Sequence, residues 1–225
     1  GGIYSLVASN TISGNNGNGL YIHNSSLNRV WANNIGVTPD GGNAWPNFWD
    51  GIYLYFANDN LIGDGHQPGN IVSANGNHGI NLNHSHNNQV KGNNYVGLSG
   101  DGGTARPNLY NGIQLSASST NRIGGMTVGE RNVISGNGGH GVAVLEDSAD
   151  NVIYGNFVGT TDNGMYAVPN GGCGVYVSSS SSNLVSRCLI SGNATNGILV
   201  DGSVSSADGN QIAYSYIGVT ADGLS

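Results

Sequence analysis

The chain has 225 residues, with 6 Lys and Arg against 13 Asp and Glu and a formal net charge of −7. Lys91 is its one lysine, so no basic patch can form, and nucleic acid is excluded as the expected partner. No apolar run approaches the roughly 18 residues of a membrane-spanning helix, so no membrane insertion is expected. Charged residues make up only 8% of the total, and Gly (39) and Asn (34) together almost a third.

Along the chain, a Gly followed by an aliphatic residue recurs at Gly19, Gly51, Gly79, Gly112, Gly141, Gly174 and Gly197, at spacings of 32, 28, 33, 29, 33 and 23. After each, as in "GIYLY" and "GINLN", the first and third residues are aliphatic. The residues between them vary: Tyr21, Tyr53, Asn81, Gln114, Ala143, Tyr176 and Leu199. Alternation at period 2 between Gly- and Asn-rich breaks predicts a strand with one dry and one wet face.

A second strand is predicted at each Asn-x-aliphatic triplet, which opens at Asn28, Asn60, Asn88, Asn121, Asn151, Asn183 and Asn210, in five of seven cases 9 residues after the Gly. A third is predicted around Ile35, Val72, Val96, Ile134, Val158, Ile190 and Ile217.

The units alternate in kind. Asp40, Asp101, Asp162 and Asp222 recur at 61, 61 and 60 residues in loops such as "VTPDGG" and "LSGDGG". These Asp residues allow Ca²⁺ as a cofactor, although Asp-Gly more often closes a tight turn.

A three-strand unit cannot bury its apolar face alone, whereas identical coils stacked in register can. The fold class expected is therefore all-β, a parallel β-helix solenoid of about seven coils of roughly 30 residues, with three short strands per coil, in one domain over residues 1–225. The Asn before each second strand is expected to stack into a ladder of side-chain amides, and to sit in the left-handed backbone of a sharp corner. Stacked like charges would repel, which accounts for their scarcity. Cys173 and Cys188 are expected to be small buried residues without a bridge. Gly2-Ile3 resembles a strand start and "IGVTADGLS" stops inside a loop pattern, as in a slice of a longer solenoid or a module whose ends are covered by neighbours.

The stretch "NVISGN…HGVAV…NVIYGNFVGT" resembles the right-handed parallel β-helix repeat of the pectin-lyase-like superfamily. It is similar in particular to the long Asn/Gly-rich repeats of bacterial extracellular and surface proteins. The resemblance implies a right-handed coil and a secreted, extracellular or cell-surface location. It also brings in enzymes on acidic polysaccharides, whose sites are built from outward residues of adjacent coils.

Read for such chemistry, the outward rows hold few acids. The row before each landmark Gly is Asn18, Asp50, His78, Asn111, His140, Cys173 and Asn196, with a single carboxylate. A glycoside hydrolase normally needs two, about 5 to 9.5 Å apart. Asp50 and His78, on adjacent coils, form a weak candidate acid/base pair; a plain surface hydrogen bond is the stronger reading. His84 and His86, with His23 nearby, suggest a metal no more than they suggest polar decoration, and no metal site is assigned. Glu146 and Asp147 are expected on opposite faces.

Six of the seventeen aromatic residues fall in "GGNAWPNFWDGIYLYF", Gly41 to Phe56. Trp45, Trp49, Tyr53 and Tyr55, with Tyr21 and His23 on the preceding coil, are the candidate binding residues. Flat rings on a polar ridged surface suit the apolar faces of sugars. Alternatively, Trp45, Phe48 and Trp49 pin a long loop to the solenoid, or the patch contacts another copy. The functions expected are, first, a non-catalytic structural or adhesive region such as a stalk, filament or adhesin with weak glycan binding; second, a polysaccharide-active hydrolase, lyase or epimerase; third, a subunit assembling end to end with its own copies.

Overall fold

The computed structural model describes residues 5–64 and 69–224; the strand start read at Gly2-Ile3 lies outside them. The described residues form short strands of two to four residues and one 3₁₀ turn, Val128–Glu130. The strands stack into three parallel sheets of eight, eight and seven members, each strand pairing with its counterpart one coil away. The fold is a right-handed parallel β-helix with three strands per coil.

The registers are those the repeat requires. Ile52 faces Leu20 and Ile80, Ile62 faces Val30 and Val90, and Val96 faces Val72 and Ile134. Like therefore stacks on like, and one continuous core runs from Ile22 to Ile190. Its side chains alternate with outward ones because successive residues of a strand point to opposite faces.

Asn holds the corners. Asn28, Asn60, Asn88, Asn121, Asn151, Asn183 and Asn210 form the expected ladder, each Nδ2 donating to the next Oδ1 at 2.8–3.2 Å. Two further ladders stand beside it. One runs through Asn10, Asn33, Asn70, Asn94, Asn132 and Asn156. The other runs through Asn15, Asn47, Asn75, Asn108, Asn137, Asn170 and Asn193.

The left-handed corner is not at the first ladder's Asn but one residue before it. Leu27, Asp59, Asn87, Thr120, Asp150, Ser182 and Gly209 all have φ between 56° and 69°. The corner turns the chain there from one sheet to the next, and the following Asn, from Asn28 to Asn183, is buried, with its amide reaching along the stack.

Three other expectations need correction. The residue equivalent to Asp40, Asp101 and Asp222 is Asn163, not Asp162. At this position a side-chain oxygen takes a Ser or Thr hydroxyl and a backbone N–H of its own loop, and an amide oxygen serves as well as a carboxylate. Glu146 and Asp147 do not alternate: both lie in a turn at φ 56° and 57°, both exposed. The outward face is not wet throughout. Asn81 and Ala143 are buried, Asn81 between the larger Tyr53 and Gln114, and Ala143 between Gln114 and Tyr176. Cys173 and Cys188 are buried and unbridged.

Candidate saccharide-binding face

Strands Leu20–His23 and Ile52–Tyr55 lie side by side and turn Tyr21, His23, Tyr53 and Tyr55 outward. The four rings form a two-by-two array. Tyr21 stacks on Tyr53 across the strands with centroids 5.2 Å apart, and His23 on Tyr55 at 5.4 Å. Along the strands, Tyr21 lies 5.5 Å from His23 and Tyr53 5.8 Å from Tyr55. The spacing follows from the sheet: about 4.8 Å between strands and two residues along each strand. Phe56 and His84 extend the patch beyond Tyr55.

Trp49 joins this array, whereas Trp45 does not. Trp49 walls a groove of about 430 Å³ together with Tyr21, Tyr53, Asp50 and Asn81. On its other side the same residue walls a second groove of about 590 Å³ with Phe48, Leu109 and Tyr110. Phe48 and Leu109 stand two coils apart, roughly 9–10 Å, and the residue between them is Gly76, which has no side chain to fill the gap and whose added Cβ would meet the Phe48 carbonyl oxygen at 2.3 Å. Trp45 lies over Gly14 instead, with Nε1 2.7 Å from where a Cβ of that glycine would stand.

The loop carrying these rings is held by its backbone. Phe48 N–H donates to the Asn15 carbonyl at 2.8 Å, Trp49 N–H to Gly17 at 3.1 Å and Asn77 N–H to Trp49 at 3.1 Å. Asn47 anchors it in the ladder. The rings themselves stay in water, Phe48 68% and Trp49 54% exposed.

Asp50 and His78 are adjacent in their row, but the carboxylate takes the backbone N–H of His78 at 2.9 Å, not its ring. The imidazole turns to the next coil, where Nδ1 accepts the Asn111 N–H at 3.1 Å. Asn111 and His140 continue the pattern. The row is thus a ladder of side-chain acceptors on backbone donors, and Asp50 and His78 occupy two of its rungs. Burial pushes the Asp50 carboxyl up and pulls His78 down to about 4. The second oxygen of Asp50 accepts Asn81 Nδ2 at 3.1 Å.

Asn81, Phe48, Leu109 and Tyr110 were not singled out as site residues from the sequence. The row Phe48, Gly76, Leu109 is readable by extending the coil alignment into the loops. The Asp50–Asn81 contact runs diagonally between coils and leaves no trace in any row.

These features define a solenoid carrying a ring-lined polar face. The sequence profile of the family described as "Periplasmic copper-binding protein (NosD)" matches residues 41–172, more than half of the chain, and the chain belongs to that family. No curated protein matches it significantly. Among solved structures it is similar to the periplasmic alginate epimerase AlgG, with a TM-score of 0.63 at 15% identity, over 95% of this chain and 50% of that one. A double mutant of AlgG gives a TM-score of 0.66 at 17% identity, over 94% and 45%. At such identities the likeness is one of fold, and the chain spans about half the length of these structures.

The family's description names copper, and the donors among the described residues do not fit it. Copper sites gather imidazole and sulfur ligands, but among the described residues no three of His, Cys, Asp or Glu come close enough to hold a metal ion. His86 Nδ1 accepts the Ser119 N–H and His140 Nδ1 the Cys173 N–H, which commits one nitrogen of each ring to the backbone. The repeating turn oxygens, including both of Asp101, are occupied by hydroxyls and N–H groups of their own loops. No helix among the described residues is long and apolar enough to cross a membrane.

Proposed function

We propose that this chain is a non-catalytic structural or adhesive solenoid of the cell envelope or extracellular space that binds polysaccharide across its ring-lined face. The supporting observation is the two-by-two array of Tyr21, His23, Tyr53 and Tyr55 continued by Trp49 into two grooves. Sugar rings carry apolar C–H faces and equatorial hydroxyls, and bind where flat rings alternate with amide groups. The envelope location takes its support from the periplasmic description of the family and of AlgG. The whole stretch acts as a single domain in this reading, since one core passes through it.

The test is calorimetric titration of the chain with a panel of oligosaccharides. Binding that weakens at least about tenfold in Tyr53→Ala, with an unchanged unfolding temperature, supports the reading. An affinity indifferent to Tyr53, Tyr21 and Trp49 contradicts it.

A second reading, a polysaccharide-active enzyme, draws on one observation: Asp50 is a buried carboxyl at the groove floor whose hold on its proton is strengthened by burial, as a general acid requires. Release of reducing or unsaturated ends from any glycan, abolished in Asp50→Asn, would favour it over the first.

A further inference from the structure

The groove between Trp49, Tyr21 and Tyr53 has a floor made of Asp50, 4% exposed, and Asn81, 7% exposed. Asn81 Nδ2 donates to Asp50 Oδ2 at 3.1 Å, and this fixes which way the amide faces. Its Oδ1 is one of two buried side-chain polar atoms, among the described residues, that lack a hydrogen-bond partner. Along the three Asn ladders each oxygen after the first is taken by the coil next to it, so an idle buried acceptor at the floor of a groove marks a place where a donor is missing. Beside it is a carboxylate, and neither Lys nor Arg lines the groove.

Resting on the reading of this face as a saccharide site, we propose that the groove takes an uncharged, hydroxyl-bearing pyranose unit and rejects uronates. One sugar hydroxyl donates to Asn81 Oδ1 and a second to the Asp50 carboxylate, while the C–H face of the ring lies against Trp49 or Tyr53. A uronate would bring its own carboxylate next to Asp50 with no cation to offset it, in a chain of net charge −7. The superfamily resemblance pointed to acidic polysaccharides; the chemistry of this groove points away from them.

The experiment is calorimetric titration of the full chain at pH 7 with neutral β-linked gluco- and manno-oligosaccharides and with oligouronates of the same length. Wild-type protein should bind the best neutral ligand at least about tenfold more tightly than any uronate. Asn81→Leu should lose at least about tenfold on the neutral ligand. Asp50→Asn should bring neutral and uronate affinities to within about threefold of each other. The last substitution keeps an acceptor for the His78 N–H, as Asn18 and Asn111 do for their neighbours in the same row, so it should fold; the unfolding temperature of each variant checks this. Uronates bound as tightly as neutral sugars by the wild type, or a preference untouched by Asp50→Asn, overturns the charge selectivity while leaving the saccharide site standing. Binding of neither class overturns both.

Discussion

His78 Nδ1 accepts the backbone N–H of Asn111 from the neighbouring coil at 3.1 Å. The ring can do this only while Nδ1 is unprotonated, with its hydrogen on Nε2. Burial lowers the His78 pKa to about 4 and lowers that of His140, which holds the Cys173 N–H in the same way.

An acid-sensitive stability follows. A His in the unfolded chain titrates near about 6.5, so between that value and about 4 the unfolded state binds more protons than the folded one. The stabilisation is complete above about pH 6.5 and is lost as pH falls toward 4. Asp50, raised by burial, works in the opposite direction as it takes up its proton. Urea denaturation at pH 5 should show about 1–2 kcal/mol less stability attributable to His78 than at pH 7.5. His78→Asn, which restores the residue type of Asn18 and Asn111 in that row, should remove this difference. Equal pH dependence in both proteins would contradict the account.

The ladder predicts position-dependent losses. The Asn88 side chain gives Nδ2 to Asn121 and to the Ala57 carbonyl and receives both N–H groups of Asn60. Asn88→Ala strands the Asn60 backbone N–H and the Ala57 carbonyl inside the stack, while Asn121 Oδ1 keeps the Asn88 N–H and Asn60 Nδ2 keeps the Ser25 carbonyl, and it should cost about 3 kcal/mol. Asn210, at the half-buried end of the same ladder, should cost only about 1 kcal/mol when changed to Ala. Denaturant midpoints of the two variants test the ranking.

The loop carboxylates predict indifference to calcium. Asn163 does in its loop what Asp101 does in the equivalent one, so Asp101→Asn should lie within about 1 kcal/mol of wild type, and Asp101→Ala should cost about 2 kcal/mol. Neither Ca²⁺ nor a chelator should move the unfolding temperature. A rise with Ca²⁺ that disappears in Asp101→Asn would make the loop a cation site.

Much of the fold was legible because each position of a coil is repeated and stacked. Ile35, Val72, Val96 and Ile134 read as one column in the sequence and are one column in the structure. The ladder through Asn15, Asn47 and Asn75 was equally readable, since each member lies four residues before a landmark Gly. The ladder from Asn10 to Asn156 was not, because loop insertions stretch alternate spacings to 37 and 38 residues against 23 or 24. At the site, the strand period and the row order placed Tyr21, His23, Tyr53 and Tyr55 correctly. What they could not give was the tilt of side chains between rows. That tilt makes Asp50 a partner of Asn81 as well as of the His78 backbone, and carries Trp45 away to Gly14.

The most direct measurement separates a ring that holds the loop from a ring that holds a ligand: Trp49→Ala, followed by both thermal unfolding and saccharide titration. Trp49 is 54% exposed and its loop is fixed by backbone hydrogen bonds. The account therefore predicts a change in stability below about 1 kcal/mol together with at least about a tenfold loss of affinity. A large fall in unfolding temperature with affinity retained would mean that the indole is a fastener and that this face is not a binding site.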